Sequence, residues 1–304
     1  LPDQTACDGI GLAENQRPFD GHGPPDYGPR RAEASSRAVP GDRPSKIVPM
    51  SQQSNPPPSP PVYARIRFVG ETVSTNDDAA ALLGDPDAAG LTIVADRQRE
   101  GRGRKGRAWV GDGTHALLCT TVLARTVSTA DLWSVTFWCG LAVRGALSDL
   151  GISTRLSWPN DVLLDGRKVA GLLCISRVLG DRAHVGCGVG INLRRPTASH
   201  PMLAVRPEPA FCDDVRAVGR DEMLAALLSA YDRLSRMLDD PPAVARAWEE
   251  AAGLPGARYR IASDDGSTPY DATALALREG GLLEILRDDG VREQVAAADV
   301  HVLR

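Results

Sequence analysis

Apolar and polar positions alternate over residues 64–69, which predicts a strand. Ser74-Thr75-Asn76-Asp77 has the composition of a helix N-terminus: Ser74 is placed to cap, Asp77 follows three residues later, and a helix-favouring run continues to Leu83. A β-branched run at 91–95 predicts a second strand. Residues 97–113 carry no apolar period and are rich in glycine and arginine, so they read as a long loop. A strand at 116–123 and an apolar helix at 131–150 follow. Short strands are then expected at 155–158, 162–164, 169–175 and 184–193, with a turn at Asp165-Gly166. Residues 221–238 are amphipathic with helical period, and Pro241-Pro242 opens another helix that ends near Gly253. Beyond Leu254-Pro255-Gly256 the pattern changes to short strands. Turns at Asp264-Asp265-Gly266, Gly280-Gly281 and Asp288-Asp289-Gly290 predict a small five-stranded barrel. Strands are grouped rather than alternating strictly with helices. The expected class is therefore α+β: a mixed sheet with flanking helices, then a small β-barrel.

Residues 1–60 break this pattern. They hold 12 of the 23 prolines and no apolar period. Segments such as Pro24-Pro25 and Pro56-Pro57-Pro58 cannot enter a helix interior or a central strand. The expected organisation is a disordered segment over 1–62, a main domain over 63–253 and a small barrel over 254–304. The first segment has no apolar core of a secretory signal, and its acidic residues oppose an organelle transit peptide. No run of about 18 apolar residues exists, so no membrane helix and no membrane partner are expected. A cytoplasmic location follows as the expectation.

The net charge of −4 argues against a globally basic nucleic-acid binder but leaves room for a local basic patch. The six cysteines, at 7, 119, 139, 174, 187 and 212, form no C-x-x-C, and four sit in apolar runs. They read as buried reduced thiols in preference to a disulfide framework or a zinc site. The five histidines are scattered, and no pair has metal-ligand spacing. Of the 35 basic residues only Lys46, Lys105 and Lys168 are lysines, so each lysine stands out.

Candidate chemistry concentrates in five stretches. Gly101-Arg102-Gly103-Arg104-Lys105-Gly106-Arg107-Ala108-Trp109 contains G-x-G-x-x-G, but a turn-rich continuation replaces the helix that a dinucleotide site needs. No G-K-[ST] exists, so a P-loop fails too. From Asp96 to Arg107 six cations face two acids, a local net charge of +4. Glycine backbone and arginine forks suit an anion such as phosphate. The bland alternative is a solvated basic loop or an RNA-contacting segment. Trp158-Pro159-Asn160-Asp161 is either an ordinary Asx turn or a carboxylate and amide near a phosphate or its Mg²⁺. In Gly166-Arg167-Lys168-Val169-Ala170-Gly171, Lys168 is either an exposed edge residue or a placed point charge, and Gly171 allows close approach. Gly186, Gly188 and Gly190 leave one strand face bare, either for a packed helix or for a flat ligand, and Asn192 ends the run. Ser74-Thr75-Asn76 fits both a cap and a binding site.

In this order and spacing the stretches resemble the biotin protein ligase family, over about four-fifths of the chain. The resemblance implies a catalytic fold like that of class II synthetases and biotin–lipoate ligases, followed by an SH3-like barrel. It implies ATP-dependent activation of biotin to biotinoyl-5′-AMP, then transfer to a lysine of the biotin carboxyl carrier domain of a biotin-dependent carboxylase. The acceptor lysine is then the nucleophile, so no Ser/His/Asp arrangement is needed. On this resemblance Ser74, Thr75, Asn76, Gln98, Gly101, Arg102, Gly103, Gly171 and Gly188 hold biotin. Arg104, Lys105, Arg107, Trp109, Asn160 and Asn192 hold ATP or the adenylate. Lys168, Arg104 and Asp161 carry the chemistry, and Asp161 is the Mg²⁺ ligand.

Two departures stand out. Ser157 occupies the position directly before W-P-N-D where the family usually has lysine, with Arg155 two residues back as a compensating charge. Ile175 stands where an acidic residue is common. Many relatives carry an N-terminal winged helix and act as repressors. Residues 1–60 are too rich in proline for one, so no DNA partner is expected. A second copy of the chain, as a homodimer, completes the expected partners. A lipoate or octanoate ligase or transferase is the nearest rival reading, and a non-enzymatic RNA binder is the rival from another class.

Overall fold

The computed structural model describes residues 61–197, 199–263, 267–297 and 300–303. The expectation of disorder for 1–62 falls almost wholly outside the described residues, as does the turn at 264–266.

Two β-sheets organise the described chain. Strands β1 (Arg65–Thr72), β2 (Leu91–Gln98), β3 (Ala116–Val122), β4 (Val127–Ser128), β5 (Arg155–Ser157), β6 (Asp161–Leu164), β7 (Arg167–Leu179) and β8 (Arg182–Asn192) form the first. Its order is β1-β2-β3-β8-β7-β6-β5, with β4 also on β8. Only β1 and β2 pair in parallel, joined through helix α1 (Thr75–Ala80). Every other pairing is antiparallel.

The two faces of this sheet differ because side chains alternate along each strand. On β3 and β8, Leu117, Cys119, Cys187, Val189 and Ile191 face a core shared with helices α2 (Leu132–Asp149), α3 (Arg220–Leu234) and α4 (Pro241–Ala252). The neighbours of opposite parity, Thr120, Gly188 and Gly190 among them, face α1 and the loop that follows β2. Helix α2 is apolar nearly all round, with Phe137, Trp138, Cys139, Ala142 and Val143 buried. It sits in the interior, which is where a helix without a polar face is stable.

A second sheet of five antiparallel strands, β9 (Arg258–Ser263), β10 (Tyr270–Leu277), β11 (Leu283–Arg287), β12 (Arg292–Val295) and β13 (Val300–Leu303), has the order β12-β11-β10-β9-β13. It matches the small C-terminal barrel expected from the turn spacing. Its inner residues Tyr259, Ile261, Ala272 and Ile285 join the core of the first sheet. The Trp158 indole donates to the Gly281 carbonyl at 3.2 Å, and the Tyr259 hydroxyl accepts the Trp158 backbone N–H at 3.0 Å.

Several boundaries differ from the sequence reading: β2 runs on to Gln98, into the expected loop, and α1 ends at Ala80. The helix expected over 221–238 is α3 followed by a tighter 3₁₀ turn at Ser235–Asp239. Strand β7 runs on past residue 175 to Leu179, because β8 pairs with it along its whole length. The Ser74 hydroxyl caps α1 through the Asn76 N–H, but Asp77 does not reach back to complete a capping box; it pairs with Arg102.

Candidate active site

A β-bulge sets where Lys168 points. Val162 opposes Ala170 and Leu163 opposes Lys168, so Val169 is an extra residue in β7. In an unbroken strand Lys168 and Gly171 would point to opposite faces. The bulge turns Lys168 onto the face of Gly171, and a Cβ placed on Gly171 would lie 2.9 Å from the Lys168 ammonium. The Asp165-Gly166 turn before it has φ of 48° and 77°, the backbone that a two-residue hairpin requires. Lys168 Nζ is 2.7 Å from Asp161 Oδ1, a pair in which Asp161 is nearly buried. The register puts Asp161 directly opposite Gly171.

The strand-face glycines are in use in this structure. A Cβ on Gly190 would overlap the Trp109 indole, and one on Gly188 would overlap the Asn76 carboxamide. Trp109 therefore lies flat across β8 and β7, with the Lys168 ammonium 5.3 Å from its ring centre. The buried indole Nε1 finds no acceptor among the described residues.

Around this floor stands a cavity of about 220 Å³. One end is built by the mouth of α1. The Gln98 carbonyl oxygen accepts from the Thr75 N–H at 2.8 Å and from the Thr75 hydroxyl at 3.0 Å, which leaves its NH₂ end turned toward Gly101. The Thr120 hydroxyl lies 2.9 Å from that of Thr75 and 2.7 Å from Asn76 Oδ1. Asn76 Nδ2 donates to the Leu173 carbonyl at 3.1 Å. Both ends of this carboxamide thus tie α1 to the sheet. Thr120 was not singled out from the sequence, and Asp77 was read only as part of the helix cap. Thr120 is one of two adjacent threonines in an otherwise apolar strand, and nothing in the sequence tells them apart.

The arginine-rich loop forms the roof. Trp109 N–H donates to the Gly101 carbonyl at 2.7 Å and Gly103 N–H to that of Arg107 at 2.6 Å, so the loop is a narrow ribbon with its tip at Lys105-Gly106. Lys105 has φ of 55°, a left-handed backbone that is uncommon for a side-chain-bearing residue and concentrates at functional loops. Arg102 is ion-paired with Asp77, and Arg104 donates to the Ala297 carbonyl beyond β12. Of the expected site residues, all but Gly101 and Lys105 line the cavity. Those two shape the ribbon instead.

The far wall is a segment that periodicity did not resolve: Met202, Val205, Arg206, Pro207 and Pro209. Asn160 and Asn192 brace that side. Asn160 Nδ2 donates to the Leu172 carbonyl at 2.6 Å, and Asn192 Nδ2 to that of Ala210 at 3.0 Å. Ser157 is buried opposite Asp161. Arg155 leans on Gly253 at the end of α4 and does not line the cavity, so it brings no charge to replace the missing lysine. Five cations (Arg102, Arg104, Arg107, Lys168, Arg206) and one carboxylate, Asp161, line the cavity. Such a wall attracts polyanions.

The histidines correct an expectation. His115 and His200 are far apart in sequence, yet both rings reach Asp112. His115 Nδ1 is 3.0 Å from Asp112 Oδ1, and His200 Nε2 is 3.0 Å from Oδ2. His200 Nδ1 accepts from the Met202 N–H at 3.2 Å, so the ring proton sits on Nε2 and is given to Asp112. Hydrogen bonds hold the trio together as a clasp, with its nitrogen and oxygen atoms within 4.8 Å of one another. Burial acts to raise the Asp112 pKa, but hydrogen bonds from His200, His115 and the Thr114 N–H outweigh it and hold the carboxyl below its ordinary 3.8.

Residues 70–192 match the Biotin/lipoate A/B protein ligase family. A biotin--[acetyl-CoA-carboxylase] ligase of Paracoccus denitrificans is 32% identical over 248 residues, covering 77% of this chain and 98% of the relative. The chain belongs to the biotin protein ligase family. A bifunctional ligase/repressor BirA of Bacillus subtilis is 25% identical over 237 residues, 75% of this ligase and 71% of that protein. The fold is that of the Aquifex aeolicus biotin protein ligase solved in complex with biotin and ATP: the TM-score is 0.63 at 22% identity, over 80% of this ligase and all of that chain. Among the described residues no helix is long and apolar enough to cross a membrane.

Proposed function

We propose that this ligase forms biotinoyl-5′-AMP from biotin and ATP and then transfers the biotinoyl group to a lysine of a carboxyl carrier domain. The observation that carries the reading is a single cavity lined both by neutral hydrogen-bonding groups at the mouth of α1 and by cations, among them Lys168 held by Asp161. The neutral end, Ser74, Thr75 and Gln98, suits a ureido ring, which needs donors and acceptors without charge. The cationic wall of Arg104, Arg107 and Arg206 suits a triphosphate.

In the first step a biotin carboxylate oxygen attacks the α-phosphorus, and pyrophosphate leaves. Both reactants are anions, so the barrier contains their mutual repulsion. Lys168 offsets it at the point where they meet, and its ammonium is held by Asp161 so that it does not reorient during reaction. Mg²⁺ would neutralise phosphate charge on entry. Among the described residues Asp161 is the one carboxylate in the cavity lining, which fits an ion held mainly by phosphate oxygens and water. The Trp109 indole occupies the glycine floor and has a buried N–H to satisfy, so ligand entry moves the ring or brings it an acceptor. In the second step the acceptor ε-amine attacks the acyl carbon and AMP leaves.

The Paracoccus relative's name gives acetyl-CoA carboxylase as its target, and we infer a carrier domain of that kind here. We further assign catalysis to residues 63–253 and the accessory barrel to 254–304, with a cytoplasmic site of action. Purified chain given biotin, MgATP and a carrier domain should label that domain on its single acceptor lysine. A carrier labelled with lipoate but not biotin would contradict the reading.

A further inference from the structure

Directly beneath the glycine floor, on the opposite face of the sheet, three cysteines converge. Cys174 of β7 and Cys187 of β8 are exact cross-strand partners, and Cys139 of α2 packs over them. Their sulfurs lie within 4.8 Å of one another. Cys139 and Cys187 are fully buried. All three are free thiols. The groups that face them are the Tyr231 hydroxyl, 3.3 Å from Cys139 Sγ, and the Thr136 hydroxyl beside Cys174. Neither carries positive charge.

The spacing suits one central atom. A triangle with sides of at most 4.8 Å has a centre within about 2.8 Å of each corner. Closing bonds near the ~2.3 Å typical of thiolate–metal contacts needs about half an ångström of movement per sulfur for an atom in the sulfur plane and up to about one ångström for a pyramidal one above it.

Charge then selects the atom. Three thiolates around a monovalent copper leave two negative charges, and around divalent zinc they leave one. In an apolar core without a cation such charge is costly. A trivalent centre leaves none. We propose that Cys139, Cys174 and Cys187 form a neutral tris-thiolate binding site for trivalent arsenic, taken up as arsenous acid. Each As–O bond is replaced by an As–S bond, each departing hydroxyl takes one thiol proton, and three waters leave. No electrons are transferred, and no base is needed. The product staples α2 to β7 and β8.

The test is arsenite titration of the reduced full chain, read by native mass spectrometry, thiol counting and thermal melting. One arsenic should bind per chain, the free-thiol count should fall by three, and the melting temperature should rise. Cys139→Ala, Cys174→Ala or Cys187→Ala should each weaken uptake at least tenfold, while Cys212→Ala should not. If the alanine variants do not fold, arsenic X-ray absorption on the unsubstituted chain decides: three sulfur neighbours and no oxygen support the site. Two sulfurs with an oxygen, no uptake by folded chain, or displacement of arsenic by equimolar Zn²⁺ would overturn it.

Discussion

Lys168 satisfies several constraints at once. It is carried onto the active face by a bulge, held by Asp161, and placed over the Trp109 ring. Its ammonium is therefore preorganised, which is what charge stabilisation in a transition state requires. Lys168→Ala should lower biotin-dependent ATP–pyrophosphate exchange by roughly 10²–10³-fold, with the far-UV circular dichroism unchanged. A loss under threefold would remove Lys168 from the reaction. Gly190 gives a steric test. A Cβ there overlaps the Trp109 indole, so Gly190→Ala should displace the ring and cost about 1–3 kcal/mol. Chemical denaturation with tryptophan fluorescence reads both effects, and an unchanged midpoint and spectrum would mean that the ring does not lie on the glycine. At this scale the sequence was informative wherever residue type is scarce. A lone lysine in an arginine-rich chain and glycines at period two are visible without coordinates. The site roles of Thr120 and Asp77 were not, because what matters in them is the partner they meet across 25 or more residues.

Among elements, the clasp of Asp112 with His115 and His200 joins the end of the arginine-rich loop to the start of the wall at 202–209. The carboxyl of Asp112 is held below its ordinary 3.8, so it binds a proton less readily folded than unfolded. Its contribution is present above the unfolded value and is lost as pH falls through the folded one. Wild-type chain should lose stability more steeply below about pH 4 than Asp112→Asn does, as read by melting temperature against pH. Parallel curves would rule the linkage out. The sequence placed most elements, since period and turn residues mark them. It missed the wall because Pro196, Pro201, Pro207 and Pro209 punctuate a segment without any repeat. It also missed the bulge, because one extra residue in an apolar run leaves the pattern readable either way.

For the whole molecule, the second sheet shares its core with the first. Ile261 is fully buried in a cluster that includes Trp158, Val244 and Trp248. Ile261→Ala should destabilise the chain by about 2–5 kcal/mol and shift a single calorimetric transition. Two separated transitions would mean that the sheets unfold independently. Through Arg104 and Ala297 the C-terminal domain also touches the roof of the cavity, so the arrangement links that domain to the cavity. The α+β class and the five terminal strands were legible from turn spacing. The shared core was not, because apolar positions on β9 say that something is buried and not what covers it.

The central claim is that one cavity binds biotin at its neutral end and ATP at its cationic end and joins them. Biotin-dependent ATP–pyrophosphate exchange by the purified chain tests it most directly. The account predicts exchange that requires biotin and is not supported by lipoate. Folded chain with MgATP that shows no exchange with biotin, or equal exchange with lipoate, would contradict it.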